Sequence, residues 1–429
     1  MKYSHNNTNE NLKQLTSETL IIGIDISKVT HMARATDFRG MELSFTLKFS
    51  SNIKGFRELL KWIHTLSVAH EKSNVIIGIE PTGPYGHTLA QFLVHNDFQV
   101  VLVLGKQVNT AKELDDNTPS KNDPKDALLI AKLISEGRFR KLREFDEPTS
   151  SLKEAMSYNH QLTKDITRVK CRVDNWLCMY FPEFSIVFKD WTKKTAYVTL
   201  QNFPMPQDIN LLTTMQIVTT WRENGVLRGI GTKKASELKV FAKNSTGLKS
   251  AAEFADIHIR GLIAQYEQLL QQQDELWIAI EALLKDIPLY NTLMQIPHIG
   301  KKAACGLAAE LGDVNDFSHP KQLIRLAGLS ITQVSSGKKR GMSQIIKRGR
   351  PHLRHWLYLA VLNLLKEKEP AFWALHQHYT KRNENPLKPM QSIIALCNKL
   401  LRIIFGMATK GRNYDPTLIT SGVPALNAA

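Results

Sequence analysis

Residues 20–27 read LIIGIDIS, residues 75–80 read VIIGIE and residues 99–105 read QVVLVLG. Each segment is a short apolar run, the length of a strand rather than of a helix. Continuous runs of Ile, Val and Leu are typical of strands that are buried on both faces. The three segments therefore predict buried strands, and the first two carry an acid, Asp25 or Glu80, at or near their end.

The segments between these runs set the order of elements. Residues 30–37 and 42–50 predict two more strands joined by a turn at residues 38–40, and helices are expected at about 53–66, at 87–94 and after Asp123. Three consecutive strands followed by alternating helix and strand are typical of the α/β RNase H-like (RuvC-like) fold, whereas a doubly wound sheet opens strand–helix–strand. We therefore predict an RNase H-like domain over residues 20–145. The glycines near the first strand do not form GxGxxG, which argues against a dinucleotide site.

The middle region, residues 146–287, has helical heptads at both ends. Apolar residues step by three and four from Leu152 to Tyr180 and again from Leu262 to Ile287, with one polar residue, Asn159 or Gln273, in each seam. Such seams predict long helices whose polar position fixes the register. The two helices could pair with each other in one chain, or they could join subunits into a dimer or tetramer.

Charge is concentrated in residues 288–412, which hold 20 Lys and Arg against 6 Asp and Glu; the whole chain has a net charge of +16. A basic block of this kind favours a polyanion such as double-stranded DNA, although it could also serve only as a solubilising surface. The polar start, the absence of a long apolar run and the four scattered cysteines predict a cytoplasmic, nucleoid-associated protein without a membrane span or zinc site. Loose tails are expected at 1–19 and 413–429.

Four carboxylates stand at positions suited to metal binding. Asp25 and Glu80 lie at the carboxyl ends of predicted strands, and Asp123 and Asp126 are three residues apart at a helix start. Hard oxygen ligands suit one or two Mg²⁺ ions, with Mn²⁺ as a substitute, and a pair of ions can support phosphoryl transfer. Taken alone, Asp123 and Asp126 also fit a helix cap, and Asp25 fits a turn.

The mainly helical C-terminal domain, residues 288–412, contains a helix-hairpin-helix-like element at 293–312. Its tight Ile299–Gly300 turn precedes Lys301 and Lys302, so free N–H groups and positive charge would meet a DNA phosphate. Residues 229–235, GIGTKKA, resemble a weaker second copy.

A second basic segment follows a Ser-Ser-Gly stretch at 335–337, which by itself predicts a loop. A serine there could attack a phosphodiester if nearby cations stabilise the phosphorane, and the same cations suit simple phosphate binding. The candidate cations are Lys338, Lys339, Arg340, Lys347, Arg348, Arg350 and Arg354.

With these residues in place, the chain resembles the DEDD-type insertion-sequence transposases, the group that includes the Piv invertases and the bridge-RNA-guided recombinases. Asp25, Glu80, Asp123 and Asp126 are similar to that family's DEDD set, and the GLS…SSGKKRG…KRG…HLR run resembles its C-terminal motif. The resemblance spans residues 20–412. It assigns the nucleophile to the serine directly before glycine, Ser336, with Ser335 as the neighbouring candidate.

The resemblance implies a recombinase that cuts and rejoins DNA with Mg²⁺ and a serine, acts as a dimer or tetramer, and uses a structured guide RNA. Two departures stand out: His298 replaces the usual glycine of an IPGIG turn, and GMSQIIKRG replaces the usual GISKxG run.

Two other functions remain open from the sequence. A Holliday-junction resolvase-like nuclease would use the same carboxylates without the serine, and a non-catalytic nucleic-acid-binding protein would use them only as caps.

Overall fold

A computed structural model describes residues 2–80, 84–116, 123–143, 146–228, 231–250, 252–332, 335–336, 339–340 and 344–420. The chain divides into two compact units, residues 1–144 and 145–429. The first is a mixed α/β unit and the second is mainly helical, which confirms the coarse prediction of fold class.

The first unit follows the predicted order, with additions. Its helices and strands are α1 (Lys2–Lys13), β1 (Thr19–Asp25), β2 (Thr30–Thr36), β3 (Leu47–Ser50), α2 (Ile53–Ala69), β4 (Asn74–Ile79), α3 (His87–His95), β5 (Gln99–Leu102), α4 (Gly105–Asp116), α5 (Asp123–Ser135) and β6 (Arg140–Lys141). The sequence patterns did not predict α1, α4 or β6.

One six-stranded sheet has the order β3-β2-β1-β4-β5-β6. Strands β1 to β3 are antiparallel neighbours, and β1, β4 and β5 run parallel. Because alternate residues of a strand face opposite sides, Ile22 and Ile24 pack in one core with α2 and α3, while Ile21 packs in another with α4 and α5. The buried runs of the sequence are thus explained by helices on both faces.

The turn between β2 and β3 is closed by a buried aspartate. One Asp37 carboxylate oxygen accepts hydrogen bonds from the backbone N–H groups of Arg39 and Met41, both at 2.9 Å. Burial raises the pKa of Asp37, but these bonds and the Arg39 side chain outweigh it and hold the pKa below its ordinary value. Gly40 has a φ of +85°, a left-handed conformation that favours glycine at the predicted turn.

The N-terminal segment differs from the loose tail that its polar composition predicts. Helix α1 occupies most of it, and the Asn11 side-chain amide donates to the carbonyl oxygens of Gly137 and Phe139, each at 2.9 Å. Gly137 has a φ of +70°, and a Cβ there would lie 2.9 Å from the Thr8 carbonyl oxygen. The close approach depends on a distant glycine, which the composition of the segment could not reveal.

The second unit contains two long helices, α6 (Glu147–Tyr180) and α12 (Ala252–Leu283), and several shorter helices and strands. Between these two lie α7 (Phe184–Val187), α8 (Lys194–Asn202), α9 (Pro206–Leu211), α10 (Thr214–Glu223) and α11 (Thr232–Lys243). After them come α13 (Pro288–Met294), α14 (Lys301–Leu311), α15 (Pro320–Leu326), β7 (Ile331–Thr332), β8 (Ser335–Ser336), β9 (Lys339–Arg340), β10 (Gln344–Ile345), α16 (Pro351–Lys366), α17 (Pro370–Lys381), α18 (Pro389–Lys410) and α19 (Pro416–Thr420).

The heptad helices α6 and α12 pack against each other as an antiparallel pair within the chain. Their polar seam residues meet: the Gln273 side-chain amide donates to the Asn159 side-chain oxygen at 3.1 Å. Farther along, the Trp176 indole N–H donates to the Ala255 carbonyl oxygen at 3.0 Å. The apolar seams of α6 and α12 therefore cover each other within one chain. A contact between subunits through this region would have to use other faces of the two helices.

The predicted boundary at 287/288 lies inside a continuous core. Leu152 and Met156 of α6 and Ile280 of α12 belong to the same buried cluster as Leu293 of α13 and Leu357 of α16. The ends of the long helices are thus part of the C-terminal core, which is why the structure has one unit where the sequence pattern suggested two regions.

The C-terminal segment also differs from the predicted loose tail. The Tyr414 hydroxyl donates to a Glu369 carboxylate oxygen at 2.8 Å, and Ile419 is buried. Helix α18 is long and apolar enough to cross a membrane, but its apolar side, including Leu396, Leu400 and Ile404, packs into the helical core. We interpret α18 as a core helix.

Candidate active site

Two glycines bring α5 against the sheet. Gly23 of β1 and Gly78 of β4 are paired neighbours. A Cβ at Gly23 would lie 2.1 Å from the Ala127 carbonyl oxygen, and one at Gly78 would lie 2.1 Å from the Ile134 Cδ1 atom. Both distances are shorter than atoms allow, so glycine is what lets the helix lie this close.

Three acidic side chains lie on the same side of this contact, and we refer to Asp25, Glu80 and Asp126 as the acid site. Asp25 and Glu80 each follow a glycine of the pair by two residues, so they occupy the sheet face that α5 covers. They also occupy adjacent positions on neighbouring parallel strands, since Ile24 pairs with Ile79. Asp126 lies in the first turns of α5, directly before Ala127. Predicted acids from three separated segments therefore share one edge of the unit.

Asp123, the fourth predicted acid, is the first residue of α5. Its backbone stands in the first turn of the helix that carries Asp126, but its side chain lies outside the described part of the structure.

Asp126 is the most deeply buried of the three acids in the acid site, with 6% of its surface exposed. One carboxylate oxygen forms an ion pair with the Lys112 ammonium at 2.5 Å, and the other is buried with no hydrogen-bond partner among the described residues. A buried carboxylate oxygen without a partner is costly. The site therefore has unused capacity to bind a cation.

Burial is the main influence on the pKa of Glu80, and it raises that pKa. The Lys112 charge opposes the rise, and the Asp126 carboxylate adds a smaller contribution to it. The pKa remains raised because the cost of burying a charged carboxylate outweighs the attraction of the lysine.

The acid site offers oxygen ligands of the kind that Mg²⁺ and Mn²⁺ prefer. Among the side chains that the structure describes, no three His, Cys, Asp or Glu groups lie close enough together to hold a metal ion. The residues nevertheless fit a divalent cation in their chemistry, because a buried oxygen of Asp126 has no hydrogen-bond partner among the described residues and its carboxylate lies near enough to Glu80 to influence the pKa of that acid.

Helix α4 contributes residues that the sequence analysis missed. Lys112 reaches Asp126, and Gly105, the first residue of α4, lies against Glu80: a Cβ at Gly105 would be 2.3 Å from a Glu80 carboxylate oxygen. The available signal was a run of helix-forming residues after the third apolar segment, which carried no motif.

The predicted nucleophile lies in a β-ribbon rather than in a plain loop. Strand β7 pairs with β10, and β8 pairs with β9, so that Ser335 is opposite Arg340 and Ser336 is opposite Lys339. We call the four strands β7 to β10 the serine ribbon. Lys338 lies outside the described residues, and so do the side chains of Ser335, Ser336, Lys339 and Arg340.

Backbone hydrogen bonds connect the segment after the serine ribbon, residues 347–350, with the segment before it, residues 326–328. The Lys347 N–H donates to the Gly328 carbonyl oxygen at 3.0 Å, and the Arg350 N–H donates to that of Leu326 at 2.8 Å. A Cβ at Gly349 would lie 2.4 Å from the Leu326 carbonyl oxygen. The small residues of this motif therefore allow two backbone segments to touch.

The four predicted basic contacts in this segment divide into two kinds. Lys347 and Arg348 are exposed and face solvent. Arg350 is paired with Glu310, and Arg354 donates to the Ala327 carbonyl oxygen at 2.9 Å. Arg350 and Arg354 therefore stabilise the fold through contacts within the chain. The sequence alone could not distinguish this role from phosphate binding.

At the predicted helix-hairpin-helix-like element, a short turn joins α13 to α14. His298 has a φ of +61°, a left-handed conformation in which glycine is favoured. Lys301 pairs with Glu281 at 3.0 Å, and the Lys302 ammonium lies 5.1 Å from the Trp277 ring centre. Both lysines thus have partners within the chain.

Comparisons with known proteins match two separate segments of the chain. A transposase family profile of the DEDD, IS110 type matches residues 22–182, and the profile described as Transposase IS116/IS110/IS902 family matches residues 290–377. Together they span more than half of the chain, and the two matches include the acid site and the serine ribbon.

Individual relatives agree with these matches. A 43.6 kDa protein of insertion element IS110 from Streptomyces coelicolor is 22% identical over 69% of this chain and 72% of its own length. The transposase for insertion sequence element IS1111A from Coxiella burnetii is 31% identical over 36% of this chain. The transposase for IS1328 from Yersinia enterocolitica is 29% identical over 35% of this chain. The chain spans less than half of the length of the last two, at 43% and 45%.

Proposed function

The chain belongs to the IS110 family of DEDD transposases and is a DNA transposase, and from this premise we propose that it cuts and rejoins DNA strands with a carboxylate-bound divalent metal and a serine nucleophile. The carboxylates are Asp25, Glu80, Asp123 and Asp126 of an RNase H-like domain, and the nucleophile is Ser336.

One observation supports this proposal most directly. In the part of the chain that the structure describes, a buried carboxylate oxygen of Asp126 has no hydrogen-bond partner, and burial raises the pKa of the nearby Glu80 despite the opposing charge of Lys112. A helix cap needs no such arrangement, because a capping carboxylate is satisfied by N–H groups of its own helix. The acid site instead has the character of a cation site.

In the proposed enzyme, the four carboxylates hold one or two Mg²⁺ ions, and Mn²⁺ substitutes. When bound, such ions offset the charge that develops on a phosphate in transfer. Gly23 and Gly78 keep α5 against the sheet and so keep Asp126 near the strand ends. Gly105 leaves room for the Glu80 carboxylate.

In the proposed cutting step, the Ser336 hydroxyl oxygen attacks a DNA phosphorus. A bond forms between phosphorus and the serine oxygen, and the bond from phosphorus to the 3′ oxygen breaks. The serine loses one proton and the departing 3′ oxygen gains one, so the step is balanced without a further reactant. Attack by a 3′-hydroxyl on the serine-linked phosphate reverses the step and rejoins DNA.

The basic C-terminal region is proposed to bind nucleic acid. Lys347 and Arg348 are exposed and follow the serine ribbon in the chain. Lys338, Lys339 and Arg340 would add positive charge that stabilises the phosphorane formed when the serine attacks the phosphate. Lys301 and Lys302 would exchange their partners within the chain for DNA phosphates. We further propose that a structured guide RNA binds, that the protein acts as a dimer or tetramer, and that it acts on nucleoid DNA in the cytoplasm.

The test is an excision assay in cells that carry the coding sequence with its flanking DNA. Ser336→Ala and Asp126→Asn should each abolish excision junctions, whereas the matched Ser335→Ala variant should retain them. Denaturing gels should show a protein–DNA adduct that requires Ser336. Sequencing of RNA that copurifies with the protein should recover a structured transcript from the flanking DNA.

Other outcomes would overturn parts of the proposal. Strand cutting that survives in Ser336→Ala and leaves unlinked 5′-phosphates would indicate the resolvase-like nuclease. Excision that survives in Asp126→Asn would remove the catalytic role of the acid site.

A further inference from the structure

We propose that Lys112 is a built-in monovalent cation of the acid site, and that a divalent metal must displace its ammonium group in order to bind. This inference rests on the proposed function, since it presumes that the acid site takes a metal. It makes Lys112 a positioning residue that controls how strongly the site binds metal.

The geometry places Lys112 among the acids. Its ammonium is 2.5 Å from an Asp126 carboxylate oxygen, and only 24% of the lysine side chain and 8% of the aspartate side chain are exposed. Its charge also acts on Glu80, where it opposes the effect of Asp126. A group that touches one acid and acts on a second occupies the place in which a shared cation would lie.

Helix α4 contacts both acids, which ties Lys112 to the site by a second contact. Gly105 begins the helix against the Glu80 carboxylate, and Lys112, seven residues later, reaches Asp126. The helix therefore spans the distance between the two acids.

Charge decides which cation should prevail. Asp25, Glu80 and Asp126 carry three negative charges when ionised, and Lys112 offsets one of them. A divalent ion brings twice the charge of an ammonium group and several coordination positions for oxygen. The lysine has a flexible stem and a partly exposed side chain, so its ammonium can withdraw to solvent when a metal enters.

A supporting role makes the opposite prediction. If Lys112 stayed in place and oriented Asp126 for the metal, its loss would weaken metal binding by about 10–100-fold, as loss of an outer-shell partner does. If Lys112 competes with the metal, its loss should strengthen binding. The sign of the change therefore separates the two roles.

The experiment measures Mn²⁺ binding to the purified full-length chain by electron paramagnetic resonance of the free ion. Lys112→Met should bind Mn²⁺ at least about tenfold more tightly than the natural chain, because a positive charge next to the ion is gone. Lys112→Arg should bind like the natural chain. Lys106→Met, on an exposed position of the same helix, is the matched control and should also leave binding unchanged.

A second measurement follows thermal unfolding. Without metal, Lys112→Met should unfold at a lower temperature than the natural chain, because Asp126 loses its buried partner, and saturating Mn²⁺ should remove the difference. Lys112→Gln, which keeps a hydrogen-bond donor without the charge, serves if the methionine variant does not fold.

The results distinguish failure of this inference from failure of the proposed function. Unchanged or weaker Mn²⁺ binding in Lys112→Met and Lys112→Gln overturns the role of Lys112 alone, provided that Asp126→Asn abolishes binding. Mn²⁺ binding that is insensitive to Asp126→Asn overturns the metal site itself, and the inference with it.

Discussion

Replacing Gly23 with alanine tests the contact that positions the acid site. The new Cβ would lie 2.1 Å from the Ala127 carbonyl oxygen and 2.5 Å from the Ala131 nitrogen. Both are backbone atoms of α5, so no side-chain rotation relieves the clash. Ordinary van der Waals contact begins at 3.4 Å, and α5 must therefore move away from β1 by about 1 Å.

This displacement has two measurable consequences. Overpacking of a closely fitted core costs about 1–3 kcal/mol, which hydrogen exchange of the β1 and β4 amides should report as a lower free energy of opening. Because α5 carries Asp126, a shift of this size at a catalytic carboxylate should lower excision by about 100-fold. The loss of activity should thus exceed what the loss of stability explains.

Two further glycine variants serve as controls. The nearest atoms to a Cβ at Gly78 belong to the side chains of Ile134 and Ile130 rather than to the backbone, so Gly78→Ala should cost less than Gly23→Ala. Gly261 lies in the exposed middle of α12 with nothing within 4 Å of its Cβ position, so Gly261→Ala should stabilise that helix by about 0.5–1 kcal/mol. If Gly23→Ala keeps both natural hydrogen exchange and natural excision, the reasoning about the glycine contact is refuted.

Three other predictions follow from the structure. Gln273→Leu should cost about 1–3 kcal/mol in urea unfolding by leaving the Asn159 amide unpaired, and adding Asn159→Leu should recover most of it; additive losses would contradict the pairing. Lys347→Met should weaken DNA binding and reduce the slope of log Kd against log salt by about 1 without changing the unfolding temperature, whereas Arg350→Met should lower that temperature; the reverse pattern would contradict the assignment of the two cations. Because the folded pKa of Asp37 is lowered, its stabilisation is full above about pH 4 and is lost as the pH falls further; Asp37→Asn should remove this part of the acid sensitivity, and an unchanged acid profile would count against it.

The sequence predicted the parts of the first unit that depend on local periodicity. Apolar runs identified the central strands, and the acids that follow Gly23 and Gly78 by two residues lie at the expected strand ends. The same reasoning missed α4, because most of its residues are polar. Lys112 and Gly105 therefore had no signal that would connect them with the acids.

In the second unit, the heptads predicted two long helices but left their partners open. The tertiary structure pairs these helices with each other, since Asn159 and Gln273 meet across the seam. The tertiary structure likewise distinguishes Lys347 from Arg350, which have similar basic neighbours in the sequence. Lys347 is exposed to solvent, whereas Arg350 forms an ion pair with Glu310.

The sequence by itself thus determined the central strands, the two long helices and the acids that stand at strand ends, but not α1, α4 or the short strands of the second unit. Only the tertiary structure decided which charged groups touch. The periodic spacing of apolar residues depends only on residues that are close together in the sequence. An ion pair such as Lys112 with Asp126 joins two helices, and which residues pair is set by how those helices pack on the sheet.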